Sequence, residues 1–189
     1  GTVVDIKSPD RLTPGYVQPA SFISKITLEL GLTYRNYLEN NRISIIEYDE
    51  KANRYSKPQE IQAIDPLFLR EDARFYEVEE NEYIANAYKP TEFKMEGKDG
   101  KMYPVKIRYS LLHPGFRLVK NTRKRVTSRS EIMTRNHGKL TLTRAGRQMS
   151  VVKTTYFPTK KHNSGLENND VFWNVEVDFH PGLDEKFNV

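Results

Sequence analysis

Two arginines, Arg144 and Arg147, flank Ala145-Gly146 where a strand-like stretch, residues 139–149 (KLTLTRAGRQM), turns over. Guanidinium groups set this close on a turn can grip an anion such as phosphate through paired N–H donors. The same spacing also describes a plain turn with two exposed arginines. A denser positive charge lies in residues 117–135 (RLVKNTRKRVTSRSEIMTR), with Arg123, Lys124 and Arg125 at its centre. Such a run binds a phosphate backbone by displacing counterions, which makes nucleic acid one candidate partner. A solvated loop has the same composition, as has a surface that pairs with the acidic residues 71–82 (EDARFYEVEENE). The run lacks the interleaved aromatics of a base-stacking surface.

The other reactive residue types form no catalytic pattern. Asp65, Asp178, Asp184 and Glu185 stand nearest the apolar runs, but no spacing pairs them as acid and base, and turn or cap positions suit them. No serine lies in a nucleophile elbow, and no glycine-rich phosphate loop precedes a helix. The absence of cysteine removes thiol nucleophiles, thiolate metal sites and disulfides. His113, His137, His162 and His180 are too far apart for a zinc-binding pair. No catalytic residue and no metal ligand is therefore assigned. Trp173, in an alternating strand, reads as core.

The elements that must position these groups are legible in part. The chain has 189 residues, 37% of them hydrophobic, and a formal net charge of +5. Its mean hydropathy is −0.71, which points to a modest core with long polar excursions. No apolar run approaches the roughly 20 residues of a membrane span, and no signal peptide opens the chain, so a cytoplasmic compartment without a membrane partner is expected. GTVVDI reads as a short opening strand. Phe22, Ile26, Leu30, Tyr34 and Leu38 recur at helical spacing, widened by Ile23 and Tyr37, and predict a helix that Ser21 starts and residues 39–41 end. Residues 42–48 (RISIIEY) predict a strand, IDPLF an apolar cluster, and residues 102–112 an alternating strand. Residues 171–179 (VFWNVEVDF) form the cleanest strand, and Pro181 opens a last short helix. Irregularly mixed helices and strands predict an α+β fold with a mixed sheet packed on helices.

Three stretches also resemble one known family. GTVVDI followed by SPDRL is similar to the end of the nucleotide-binding fold of the gyrase/heat-shock chaperone/histidine kinase/MutL (GHKL) ATPases. ITLELGLTYRNYLENNRISI with IDPLF resembles the first helix and strand of the transducer domain in microbial MORC-like and MutL-like members. LTLTRAGRQM, VFWNVEVDF and LDEKFNV resemble that family's R-x-G-R-E strand, W-G-x-E-x-x-F strand and LD-x-x-F-x-V helix start. Asn174 and Gln148 depart from it, standing where the pattern has Gly and Glu. The resemblance implies a transducer-type, small-ribosomal-protein-like fold with a left-handed β-α-β crossover. It assigns residues 1–15 to the tail of a nucleotide-binding lobe and a linker. Residues 16–189 become the transducer-type domain, with a polar, basic insertion around 113–137. It further implies ATP and Mg in the full-length parent, not held tightly by this stretch, whose partners would be its own N-terminal ATPase lobe and a second copy in a homodimer. Thr2 alone matches a nucleotide-binding position, a hydroxyl near the adenine, and a phosphate-sensing lysine would follow Val189.

Overall fold

The computed structural model describes residues 2–5, 19–71, 73, 85–113, 127–153 and 172–188. These residues form an α+β fold built on one mixed six-stranded sheet. Its strands are β5 (Ala85–Ala87), β6 (Thr91–Glu96), β7 (Met102–Leu112), β8 (Lys139–Arg144), β9 (Arg147–Lys153) and β10 (Trp173–Phe179), in the order β5-β7-β10-β8-β9, with β6 also on β7. Neighbours are antiparallel except β8 and β10, which run parallel from Val175↔Leu140 to Phe179↔Arg144.

Strand alternation divides the apolar residues between the two faces. On one face Val105, Val177 and Phe179 pack with Leu183. Leu183 ends a 3-10 turn (Pro181–Leu183), which leads into the short helix α3 (Asp184–Phe187). Phe187 stacks on Phe179 with ring centroids 4.1 Å apart. The other face is covered by α1 (Pro19–Thr33), α2 (Thr127–Asn136) and the irregular segment around Ile64 and Phe68, which share a core with Leu112. Asp65 makes that buried segment tolerable, because its carboxylate accepts from the amides of Leu67, Leu69 and Arg70.

Several sequence expectations are corrected here. Residues 2–5 form no strand; Ile6 lies outside the described residues, as do residues 7–18 of the expected linker. Residues 42–48 do not make one strand. They enter a narrow hairpin in which β1 (Ser44–Ile45) pairs with β4 (Gln59–Glu60), and β2 (Tyr48–Asp49) pairs with β3 (Arg54–Tyr55). The first helix stops at Thr33 instead of running past Leu38, and its buried line is Thr27, Gly31 and Arg35 with Leu28 and Leu32 inward beside it. The end of the basic run is a core helix: Ile132 and Met133 of α2 are buried, and Arg135 forms a two-pronged pair with Glu29 of α1. Trp173 is 36% exposed and lies against Tyr88 instead of in the core.

Gly31 sets how closely α1 meets its neighbour. A Cβ there would stand 2.7 Å from the Gln62 carbonyl oxygen and 3.0 Å from the Ile64 side chain. The same contact brings the Ile64 amide to the Gly31 carbonyl at 3.1 Å. Gly31→Ala is therefore expected to lower the unfolding free energy by about 1–3 kcal/mol through overpacking. This is despite alanine's better helix propensity, worth about 1 kcal/mol. Urea unfolding measures it, and a stabilised variant would contradict the close approach.

Candidate functional site

The R-x-G-R turn, the aromatic strand and the LD-x-x-F segment meet at one end of β10. Arg144 and Arg147 close the β8–β9 hairpin, and its two central residues, Ala145 (φ 48) and Gly146 (φ 83), are both left-handed as a two-residue hairpin loop demands. Four contacts hold this turn. The Ala145 amide donates to the Phe179 carbonyl at 2.9 Å, and the Gly146 amide to the Asp178 carboxylate at 2.8 Å. From beyond α1, Tyr37 Oη donates to the Ala145 carbonyl at 2.7 Å and Asn36 Nδ2 to the Gly146 carbonyl at 2.8 Å.

Arg144 grips Asp184 of α3 with two bonds, Nε to Oδ1 and Nη2 to Oδ2, each 2.7 Å. This bidentate bond, despite some opposing desolvation, holds the Asp184 carboxyl below the usual carboxylate range. The anion that Arg144 takes is thus one of the protein's own carboxylates. Arg147 turns its guanidinium over the Tyr34 ring, 5.4 Å from the centroid. Thr2 is exposed in a stretch without regular structure, and Arg123, Lys124 and Arg125 lie outside the described residues.

Behind the hairpin lies a charged cluster that the sequence reading missed. Arg35, fully buried just past the end of α1, donates to Glu176 in the middle of β10, to the Leu32 carbonyl, and to Gln148 Oε1 of β9 at 2.9 Å. Arg108, on β7 directly across from Glu176, donates to the other carboxylate oxygen through Nε at 3.1 Å and through Nη2. Arg70 donates to the Arg35 carbonyl at 2.9 Å. Burial works against the ionised form of Glu176, but Arg35 and Arg108 together outweigh it and hold the carboxyl below the usual carboxylate range.

The sheet face around this cluster is polar. Ser110 and Asn174 oppose each other across β7 and β10, and Thr141 stands opposite Glu176 on β8. All three are buried, as is Asn136 of α2, whose amide donates to Thr141 at 3.2 Å. The Ser110 hydroxyl and both amide atoms of Asn174 have no partner among the described residues, which leaves this seam between helices and sheet incompletely satisfied there. Only alternation placed these residues, and alternation alone reads such a face as solvent-exposed. The one available signal was Arg35 falling on the helical line of Thr27 and Gly31.

Beside the hairpin an open cleft of about 280 Å³ is lined by Glu92, Lys106, Ala145, Asp178, Phe179 and His180. Lys106 is paired with Glu92 at 2.9 Å, and His180 Nδ1 accepts from the Gly182 amide. Among the described residues no three His, Asp or Glu side chains group to hold a metal ion. The arrangement ties α1, the sheet and the C-terminal turn into one unit.

Glu176 binds fewer protons folded than unfolded at mildly acid pH. Its stabilisation is full above the unfolded carboxylate value of about 4.3 and is lost as the pH falls through the lower folded value. Glu176→Gln is expected to cost about 3–5 kcal/mol near neutrality, because two guanidiniums lose their counter-charge. It should also flatten the loss of stability on acidification. Denaturant unfolding between pH 3 and 7 reads both effects, and an unchanged acid slope would remove Glu176 from this role. No protein-family model, no curated protein and no solved structure matches this chain.

Proposed function

We propose that this chain is the transducer-type domain of a GHKL ATPase, coupling ATP binding and hydrolysis in an N-terminal lobe to conformational change and dimerisation. The observation that carries this reading is the convergence of the family-like motifs. Arg144 of the R-x-G-R turn binds Asp184 of the LD-x-x-F segment, and Asp178, at the end of the aromatic strand, binds the Gly146 amide. Residues far apart in sequence are thus mutually dependent in space. The mixed sheet, in which β8 and β10 run parallel, is of the class this reading requires; the transducer-type topology with a left-handed β-α-β crossover is part of the proposal.

In this role the domain acts as a stiff lever. A displacement imposed near α3 passes through Asp184 and Arg144 to the hairpin. From there it reaches the turn after α1 through Asn36 and Tyr37, and the sheet centre through Arg35 and Glu176. In this proposal Mg-ATP is held by the N-terminal lobe; among the described residues no cluster of His, Asp or Glu side chains groups to hold a cation. Nucleic-acid binding by Arg123, Lys124 and Arg125 is a separate reading that no observation here favours.

The full-length protein with Arg144→Gln tests the proposal. Nucleotide should still bind, while ATP-dependent dimerisation, followed by light scattering, weakens by at least about fivefold, the lower bound of a typical coupling. This chain alone should turn over no ATP. Turnover by the isolated chain, or a full-length protein whose assembly ignores ATP, would overturn the reading.

A further inference from the structure

The seam between α2 and the sheet encloses more hydrogen-bonding atoms than its side chains satisfy. Ser110 and Asn174 are cross-strand partners on β7 and β10, and they, like Asn136 of α2, are at most 1% exposed. The end of α2 is fastened beside the start of β10. There the Asn136 amide donates to Thr141, and the Gly138 amide donates to the Trp173 carbonyl at 3.0 Å. The Ser110 hydroxyl, Asn174 Oδ1 and Nδ2, and Asn136 Oδ1 have no partner among the described residues. Lys139, one residue before the Leu140 that pairs with Val175, gives its ammonium to the Thr134 and Arg135 carbonyls instead.

These atoms define the chemistry of what can satisfy them. The Ser110 hydroxyl donates and accepts, Asn174 Nδ2 donates, and the two amide oxygens accept. A cation would face the Asn174 Nδ2 donor and the guanidinium of Arg108, two residues from Ser110 on the same face. An anion would face the two amide oxygens and the Glu176 carboxylate, two residues from Asn174 on that face. An organic ligand has no way in to side chains enclosed this fully. A direct Ser110–Asn174 bond would satisfy one atom of the Asn174 amide and nothing of Asn136. Water is small, neutral, and both donor and acceptor.

We propose that this seam is a binding site for ordered water, with one molecule on each side of the Asn174 amide, bridging it to Ser110 and to Asn136. Oδ1 and Nδ2 point away from each other, so a single water cannot serve both. These waters, rather than aliphatic contact, complete the junction of α2 with β7 and β10. The site involves none of the residues of the hairpin–α3 joint and stands independently of the role proposed for it.

Magnetic relaxation of the solvent tests the site. In the wild-type chain, the Asn174 side-chain amide protons should show cross-relaxation with water, of the sign given by a molecule that stays longer than the protein takes to tumble. Relaxation dispersion of the water oxygen counts such long-lived waters, and it is blind to exchanging hydroxyl protons. Joint substitution Ser110→Ala and Asn174→Leu removes the partners of both waters and should lower that count by about two. The amide spectrum of the variant shows whether it folds; if it does not, the wild-type Asn174 amide alone decides. A silent Asn174 amide, or a smaller fall in the count of a folded variant, would rule the paired waters out.

Discussion

The ionised carboxylate of Glu176, enclosed between Arg35 and Arg108, is the constraint around which the described structure is arranged. Removing such charges from water costs several kcal/mol per ion, and mutual attraction offsets that only when geometry is close and most remaining donors are used. Arg35 places its Nη donors on Glu176, Gln148 and the Leu32 carbonyl, while its buried Nε has no partner among the described residues. Arg35 lies just past α1, which ends at Thr33 although apolar spacing continues to Leu38. The turn that follows brings Tyr34, Asn36 and Tyr37 onto the hairpin. A merely apolar contact at this position would tolerate sliding; the bonded cluster admits one register of helix on sheet.

The surrounding polar seam has a different consequence. Ser110, Asn174, Thr141 and Asn136 occupy positions that an ordinary helix-on-sheet layer fills with aliphatic side chains. Burying them removes hydrophobic stabilisation from this interface and leaves polar atoms without partners among the described residues. The apolar work shifts to two smaller clusters. One lies under Leu32, Ile132 and Met133, and the other under Leu183 and Phe187. Splitting the core in this way accords with the chain's low apolar content, and the Arg144–Asp184 pair joins β8 to α3 on the face of the Leu183 cluster.

Local pattern made much of the sheet legible. The alternation of Val105, Ile107, Tyr109 and Leu111 predicted β7, the Arg144–Arg147 turn appeared between β8 and β9, and Pro181 opened the final helical turns. The hairpin of residues 44–60 was read as strand and loop because its ladders are only two residues long, too short for a period to register. Charge concealed α2: among the arginines of residues 117–135, Ile132 and Met133 were too few to reveal a core helix. The Glu176 cluster stayed hidden for a related reason. Polar residues at alternate strand positions look the same whether water or a helix lies above them.

By itself the sequence determined the class of fold, the strands with a clear two-residue period, the turn residues, and the absence of thiol chemistry, since each follows from side-chain type and local spacing. Only the tertiary structure decided where α1 ends, which face of the sheet is covered, and that Arg144 binds Asp184 while Arg35 and Arg108 share Glu176. Those outcomes join residues separated by as many as 141 positions, and their energies depend on desolvation, which exists only once the chain has closed around them.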